Sequence, residues 1–292
     1  MEKILFIVNP IAGGRKKDLL LKEISRLLDH GKFSEEFIFT TGPGDATEIA
    51  RGSDAGYIVA VGGDGTVHEV ATALAGTEKV MGIIPCGSGN GLARHLGIAA
   101  TVISPILAIN RCKVETIDAG RINGEMFFCT CGIGLDAIVS DKFAKAGTRG
   151  LSTYIRKALE TWKDFEPETY SIEIDGKRLE RKAVLITAGC ANQWGNEAKI
   201  CPGASLRDGL LDLTVIGSFK TAEIPPLAIE LMDGRIARNS HVETFRGRRI
   251  SIERPSAGPA HFDGDPHTLG TRIDMEIVPG CLKVIRGRKR KI

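Results

Sequence analysis

The feature that most constrains this chain is a glycine-rich run, Val61-Gly62-Gly63-Asp64-Gly65-Thr66, between a strand pattern and a helix pattern. It follows the apolar segment 57–61 and precedes apolar residues spaced for one face of a helix between positions 67 and 74. Glycines let a backbone approach an anion closely, and the free amides at a helix start point towards it. The run therefore predicts a phosphate-binding turn.

Asp64 adds a carboxylate that phosphate binding alone does not require. A carboxylate beside a polyphosphate is repelled unless a divalent cation lies between them or the carboxylate handles a proton.

Composition places the chain among ordinary globular proteins that are large enough for two domains. It has 292 residues, of which 42% are hydrophobic and 26% charged, and a formal net charge of +3. Five positive side chains fall in residues 286–292, so the remainder is mildly acidic. The apolar start, residues 4–8, is too short for a signal-peptide core, and no stretch has the length of a membrane span. Seven cysteines without a CxxC pair predict reduced thiols in a cytoplasmic protein.

The first part of the chain alternates strand and helix patterns. Strands are predicted near 3–8, 33–39, 57–61 and 80–85, and helices near 17–29, 45–51, 66–75, 89–96 and 101–110. Such alternation predicts a parallel sheet covered by helices on both faces, a three-layer α/β domain. Glycine-rich loops at 9–15, 62–66 and 85–91 follow three of the strands, so we expect them to form one crevice at the carboxyl edge of the sheet.

The second part is mostly strands, which predicts an all-β or α+β domain. Strands are predicted at 170–174, 183–187, 210–216, 248–253, 271–278 and 281–285, and helices at 151–165 and 222–238. Asp175-Gly176 predicts a hairpin between the first two of these strands. We divide the chain into domains at 1–125 and 126–280, with residues 281–292 as a strand and basic tail, and leave open a return to the first domain.

Two acidic turns in the second part are candidate functional sites. Asp208-Gly209 suits a Mg²⁺ or Ca²⁺ ligand with backbone oxygens, although a simple turn before a strand is an alternative. In Asp263-Gly264-Asp265, paired carboxylates suit a metal partner and a general base, and a solvated hairpin turn is the alternative. His261 and His267 flank this turn, do not match a zinc site, and are expected at the surface.

Several enzyme classes are excluded by motif. The sequence has no GxSxG, no HExxH and no GxxxxGK[ST]. Readings as a serine hydrolase with a nucleophile elbow, a zinc protease or a P-loop enzyme therefore fail.

An ordered set of motifs resembles the diacylglycerol kinase and sphingosine kinase superfamily over nearly the whole chain. The motifs are Asn9-Pro10-x-Ala12-Gly13-Gly14, Gly44-Asp45-Ala46, Gly62-Gly63-Asp64-Gly65-Thr66 with Glu69, Gly87-Ser88-Gly89-Asn90, Pro202-Gly203-Ala204 with Asp208-Gly209, Asp263-Gly264-Asp265, and Val278-Pro279-Gly280. NAD kinases and phosphofructokinases share the GGDG element, so the ordered set carries the resemblance.

The resemblance implies an N-terminal α/β nucleotide-binding domain, similar to that of NAD kinases and phosphofructokinases, and a C-terminal β-sandwich, with the active site in the cleft between them. It implies that ATP is bound by Asn9, Thr40, Gly62, Gly63, Asp64, Gly65, Thr66, Glu69, Gly87, Ser88 and Asn90.

The resemblance also assigns metal and catalytic residues. It implies a structural Mg²⁺ held by the Asp208 side chain with backbone oxygens of Ser205 and Leu210. The catalytic acids would be Asp263 and Asp265, while Asp64 orients a catalytic Mg²⁺. This family commonly has Asp-Gly-Glu at the second turn, so the shorter Asp265 leaves open which of the two carboxylates is the base.

The implied function is an ATP-dependent kinase for the hydroxyl of a membrane lipid such as diacylglycerol or a sphingoid base. We expect a peripheral enzyme at the inner face of the membrane, no nucleic-acid partner, and leave open a homodimer. The basic tail either binds anionic lipid or only solubilises the chain. A kinase for a soluble acceptor, of NAD-kinase type, is the alternative enzyme. A nucleotide-sensing or membrane-binding module without catalysis is the alternative outside enzymes, and the three acidic sites disfavour it.

Overall fold

The computed structural model describes residues 1–13, 17–145 and 151–287, and it divides into two compact units. The first unit comprises residues 1–117 and 280–292, and the second comprises residues 118–279. Residue 125, where the sequence analysis divides the chain, lies in the second unit. The end of the first glycine-rich loop at residues 14–15 and tail residues 288–292 lie outside the described residues.

The first unit is built on a parallel sheet with the strand order β2-β1-β3-β4. Its strands are β1 (Glu2–Val8), β2 (Phe33–Phe39), β3 (Tyr57–Gly62) and β4 (Val80–Pro85). Its helices are α1 (Lys17–Leu27), α2 (Asp45–Gly52), α3 (Asp64–Leu74), α4 (Gly91–His95) and α5 (Ile103–Arg111). These four strands and five helices confirm the predicted ones, with bounds that differ by a few residues.

Both faces of this sheet are buried, because β1 is apolar at every position from Ile4 to Val8. Alternate residues of β1 pack with Ile24 of α1 and Ile109 of α5 in one core cluster. The intervening residues of β1 are equally buried, so the other face is covered as well. A near-continuous apolar run is what a parallel strand between two helix layers requires.

The end of the chain completes the first unit. The last residues of β16 (Arg272–Ile285) run parallel to β4, where Lys283 is opposite Val80. The amide of Gly76 donates to the carbonyl of Cys281, and the amide of Arg286 donates to that of Lys113. The C-terminal segment therefore supplies an integral strand of the first unit.

In the part of the chain that the structure describes, the second unit contributes strands to two sheets and has three α-helices. In one, β13 (Arg249–Glu253) lies between β8 (Glu168–Ile174) and the first residues of β16, and β9 (Lys177–Ala183) flanks β8. β5 (Val114–Ile122) and β6 (Glu125–Phe127) pair as a further hairpin. The other sheet has the antiparallel order β12 (Val242–Gly247), β11 (Leu211–Ile216), β10 (Leu185–Gly189), β7 (Thr130–Gly134), β14 (Gly258–Phe262), β15 (Asp265–Leu269). The helices are α6 (Leu135–Ala144), α7 (Leu151–Trp162) and α8 (Ile224–Asp233). The predicted fold class, an α/β domain and a C-terminal β-sandwich, is confirmed.

Some element predictions in the second part are wrong. The Asp175-Gly176 turn joins β8 to the charged strand β9, whereas residues 185–189 pair with other strands. A two-residue loop leaves no room for the longer connection that the sequence analysis assumed. The predicted helix at 222–238 is interrupted at Gly234, which takes φ 73° and ends α8.

Among the described residues, no helix is long and apolar enough to cross a bilayer.

Candidate functional site

The three glycine-rich loops of the first unit lie against one another at the carboxyl ends of β1, β3 and β4. A Cβ on Gly13 would lie 2.4 Å from the carbonyl oxygen of Cys86, and Gly13 has φ +68°. A Cβ on Gly87 would lie 2.8 Å from the Cα of Gly63. Because the backbones touch at these positions, larger side chains there would separate the loops. The three loops are thus brought together at this edge of the sheet, as the sequence analysis expected.

Asn9 and Thr66 fasten the phosphate-type turn to β1. The side-chain amide of Asn9 donates to the hydroxyl of Thr66 at 3.1 Å, and its backbone amide donates to the carbonyl of Val61 at 3.0 Å. A Cβ on Gly62 would lie 2.4 Å from the same hydroxyl, so only glycine fits there. Thr40 is buried at the end of β2, beside β1.

The start of α3 is suited to an anion. Gly63 is the N-cap, and no side chain in the described part of the chain caps it. The first amides of a helix have no intrahelical acceptor, and the helix dipole places positive charge there. The backbone amides of residues 63–66 are therefore suited to bind an anion such as phosphate.

Asp64 links two of the loops. Its carboxylate oxygens accept the amides of Asn90 and Gly91, each at 2.8 Å. Sequence reasoning assigned Asp64 to metal chemistry and did not anticipate this contact. A carboxylate can accept more than two hydrogen bonds, so these two contacts do not by themselves exclude a metal-bound water.

Asn90 closes the third loop on itself. Its side-chain oxygen accepts the amide of Gly87 at 3.0 Å, and its side-chain nitrogen donates to the carbonyl of Gly87 at 2.6 Å. Asn90 is 3% exposed and has φ 54°, which an asparagine tolerates better than most residues. Ser88, at the tip of the loop, is exposed. The buried asparagine therefore shapes the loop, and the serine at its tip is accessible from solvent.

Glu69 has a structural contact. Its two carboxylate oxygens accept the amides of Gly44 and Ala46 at 3.0 Å each. These amides are at the start of α2, where a negative charge is favourable. This arrangement favours a role in joining α3 to α2 over contact with a nucleotide.

The acidic turn of the second unit is the loop of a tight hairpin. Asp263 and Gly264 have φ 49° and 93°, and Phe262 pairs directly with Asp265, as in a two-residue type I′ loop. The carboxylate of Asp263 accepts backbone amides at 2.9, 2.7 and 3.2 Å from residues 128, 129 and 130. Asp265 begins β15 and is exposed. The two predicted catalytic acids therefore have different environments: one is bound by the backbone and the other faces solvent.

The prediction that His261 lies at the surface is wrong. His261 is 3% exposed, and its Nε2 lies 3.0 Å from Oδ2 of Asp136. The hydroxyl of Thr187 donates to the same oxygen at 2.8 Å. Side chains alternate along a strand, and His261 points to the inner side of β14. His267 is exposed as expected and stacks on Phe262 with ring centroids 4.0 Å apart.

The Asp208 turn is held by a residue that sequence reasoning missed. Asp118, which is 5% exposed, accepts the amide of Gly209 at 2.8 Å and donates its own amide to the carbonyl of Leu206 at 2.7 Å. Gly209 has φ +68°, and Oδ1 of Asp208 accepts the amide of Leu210 at 3.2 Å. Asp118 is about ninety positions away in the chain, so no local motif could reveal it.

Arg246 supplies a positive charge to the same turn. It lies directly opposite Asp212 in the β11–β12 pairing, donates to Asp212 at 3.1 Å and pairs with Asp208. Burial raises the pKa of Asp212, an effect that the neighbouring guanidinium opposes. The Asp212 carboxylate raises the pKa of Arg246 in turn.

The oxygen atoms of the Asp208 turn are of the kind that a hard cation binds, but Arg246 competes for the Asp208 carboxylate. A carboxylate and backbone oxygens are the ligands that Mg²⁺ prefers. The guanidinium of Arg246 pairs with Asp208, so a cation bound at this carboxylate would compete with Arg246 for it. Among the described residues, no group of three or more His, Cys, Asp or Glu side chains is placed to hold a metal.

Comparison with known families accounts for both units. The diacylglycerol kinase catalytic domain family matches residues 3–122. The YegS C-terminal NAD kinase beta sandwich-like domain family matches residues 129–286.

Individual relatives match along almost the whole chain. The chain is 30% identical to a diacylglycerol kinase of Mycobacterium tuberculosis, over 98% of this chain and 96% of the relative. It is similar to a Bacillus anthracis crystal structure described as a diacylglycerol kinase candidate, with a TM-score of 0.81, 28% identity and coverage of 98% and 97% of the two chains. An NAD kinase from Archaeoglobus fulgidus, solved with ATP, shares the fold at a TM-score of 0.56 and 13% identity over 98% and 95% of the two chains. This chain belongs to the diacylglycerol kinase-like superfamily of lipid kinases, and it is therefore a phosphotransferase.

Proposed function

We propose that this protein transfers the γ-phosphate of ATP to the hydroxyl group of a membrane lipid, such as diacylglycerol or a sphingoid base. The observation that carries the proposal is the contact among the three glycine-rich loops at the uncapped start of α3. Phosphoryl transfer depends mostly on position and charge neutralisation, and this crevice offers backbone amides for both.

In this proposal the first unit binds the triphosphate. The amides of residues 63–66 donate to phosphate oxygens, and Asn9 holds Thr66 so that the turn keeps its shape. MgATP is the substrate, and its Mg²⁺ neutralises charge on the phosphates. Asp64 joins the turn to Gly91, and its carboxylate would help to hold the Mg²⁺ of that substrate.

We assign the general base to Asp265 and the support of the turn to Asp263. Both oxygens of Asp263 accept backbone amides, so this carboxylate has less capacity to take a proton from an alcohol. Asp265 is exposed at the start of β15 and can approach a hydroxyl group. A base must come within hydrogen-bond reach of the proton that it removes.

A second Mg²⁺ would be held by the Asp208 carboxylate with backbone oxygens of Ser205 and Leu210, where it would neutralise the turn. Arg246 fills that electrostatic role in the structure described here.

A lipid acceptor implies contact with a membrane surface. The relatives named diacylglycerol kinase support a lipid over a soluble acceptor. We propose a cytoplasmic enzyme that binds the inner face of the membrane peripherally, without a nucleic-acid partner.

A side-by-side kinase assay tests this function. The purified chain is incubated with Mg²⁺, ATP and either mixed vesicles containing diacylglycerol and sphingoid bases or soluble NAD. Mass spectrometry of the products is expected to show a phosphorylated lipid. Phosphorylated NAD without any lipid product would establish the soluble-acceptor alternative, and no ATP-dependent product would support a module without catalysis.

An Asp64→Ala variant provides the control for the nucleotide site. It removes the charge that joins the two loops and is expected to abolish lipid phosphorylation. Full ATP-dependent activity in this variant would contradict the assigned site.

A further inference from the structure

Helix α6 donates a hydrogen bond to a backbone carbonyl group of the acidic hairpin loop. The hydroxyl of Ser140 donates to the carbonyl oxygen of Gly264 at 2.7 Å. This carbonyl belongs to the peptide unit that joins Gly264 to Asp265, so its orientation sets the direction in which the Asp265 side chain leaves the backbone. Ser140 is 7% exposed, which shields the bond from competition by water.

The same helix is attached to the hairpin one turn earlier. Asp136, in the first turn of α6, accepts the hydroxyl of Thr187 and lies 3.0 Å from Nε2 of His261 on β14. In the described part of the chain, Nδ1 of His261 is buried without a hydrogen-bond partner. A neutral histidine then carries its proton on Nε2 and donates it to Asp136.

The backbone leaves room for this buried cluster. A Cβ on Gly132 would lie 2.4 Å from Oδ2 of Asp136 and 2.6 Å from Nε2 of His261. Gly132 has no positive φ, so its backbone conformation does not require glycine. Glycine is required because a side chain would not fit. The absence of a side chain at Gly132 therefore lets Asp136 of α6 meet His261 of β14.

Packing contributes little to holding the loop itself. A Cβ built on Gly264 would have no atom within 4 Å, so its outer side is open. Hydrogen bonds therefore determine the shape of the loop, from the backbone amides to Asp263 on one side and from Ser140 on the other.

We propose that Ser140, together with the Asp136–His261 pair, positions Asp265 for proton removal. These are positioning residues, since they act on the loop and not on a substrate. The inference rests on the proposed role of Asp265 as the base. Asp136 and Ser140 are four positions apart and so lie on one face of α6, which makes the helix a rigid two-point support.

The test compares Ser140→Ala with Thr214→Val in the full-length protein. Thr214 also has a buried hydroxyl that donates to a carbonyl, that of Ile200 at 2.8 Å, within the same unit. Amide hydrogen exchange of residues 262–267 is measured by mass spectrometry, and kcat and KM for ATP are measured with diacylglycerol vesicles. Ser140→Ala is expected to speed exchange of this loop about tenfold and to lower kcat about tenfold to a hundredfold at unchanged KM for ATP. Thr214→Val is expected to leave both unchanged.

Two further arms separate the possible failures. Unchanged exchange of the loop in Ser140→Ala overturns the inference, whatever the activity. Restored exchange and kcat in Ser140→Thr, which keeps a hydroxyl, support it. If the wild-type protein phosphorylates no lipid, the proposed function fails, while the exchange data still decide whether α6 holds the loop. Asp136→Asn, which weakens the other attachment, is expected to raise exchange in the same residues, and no rise there counts against the two-point support.

Discussion

At the scale of single residues, substitutions of the two aspartates of the hairpin loop should have different effects on rate and on stability. Asp265→Asn is expected to lower kcat about 10²- to 10⁴-fold, the usual contribution of a general base, with little change in thermal stability because Asp265 is exposed. Asp263→Asn is expected to lower the melting temperature, because an ionised acceptor of three backbone amides is lost. Steady-state kinetics and calorimetry on both variants check this. The reverse pattern would assign the base to Asp263.

Two glycines of the first unit offer a matched comparison of space. Gly62→Ala places a Cβ 2.4 Å from the hydroxyl of Thr66, and we expect a loss of about 1–3 kcal/mol in the free energy of unfolding from overpacking. Gly52→Ala, at the end of α2, meets no atom within 4 Å and is expected to be neutral or to stabilise by up to about 1 kcal/mol. Denaturant unfolding measures both. Equal effects would show that the turn relaxes around the added methyl group.

At the scale of elements, the pairing of β11 with β12 determines how the Asp208 turn responds to metal. In Arg246→Met the carboxylates lose their guanidinium, so we expect a lower melting temperature without Mg²⁺ and a larger rise on adding Mg²⁺ than in the wild type. Scanning calorimetry with and without Mg²⁺ measures this.

Arg181→Met is the matched control for that comparison. It removes an arginine of β9 that pairs with Glu243 of β12. This variant should respond to Mg²⁺ like the wild type. A response of Arg246→Met equal to that of the wild type would show that Arg246 and the cation do not compete.

Elements were predictable from sequence where their pattern is local. The strands and helices of the first unit follow apolar runs, and the strand, glycine and helix order around residues 62–66 located the loops. The sequence analysis missed the strands β14 and β15, because they are short and contain histidine and proline.

The contacts that shape the site were less predictable, since their partners are far apart in the chain. Asp118 to Gly209, Asp136 to His261 and Ser140 to Gly264 each join residues about a hundred positions apart. Asp and Ser occur in many turns, so neither residue type indicates such a partner by itself. The fold brings them together, and a single sequence does not show that pairing.

At the scale of the whole molecule, the seven cysteines are not joined in disulfides, as the sequence analysis predicted, and should react in two groups. Burial raises the pKa of Cys201 to about 12 and also raises that of Cys131, so little thiolate forms at these sites near neutral pH. We expect iodoacetamide at about pH 8 to modify native protein only at one or more of the three half-buried residues 86, 112 and 281. Mass spectrometry checks this, with unfolded protein as the control for complete labelling. Rapid modification of Cys201 in native protein would contradict its burial.

The basic tail can be tested with a truncation that keeps the contacts of residues 286 and 287. Arg286 pairs with Glu115 at 2.7 Å, and the amide of Gly287 donates to the carbonyl of Leu96, so truncation after Gly287 keeps these contacts. If the four basic residues that follow bind anionic lipid, their loss should weaken vesicle binding at low salt by roughly 1 kcal/mol per residue. Vesicle sedimentation at low and high salt measures this. Equal binding with and without these residues would make the tail a solubilising segment.

The strand that returns beside β4 has a consequence for biosynthesis. The first unit lacks its last strand until the second unit has been translated, since Lys283 and Val284 supply the pairing with Val80 and Met81. A nascent chain would therefore expose that edge of β4 for as long as the second unit takes to be made. An incomplete product, released early, would carry the glycine loops on an unfinished sheet.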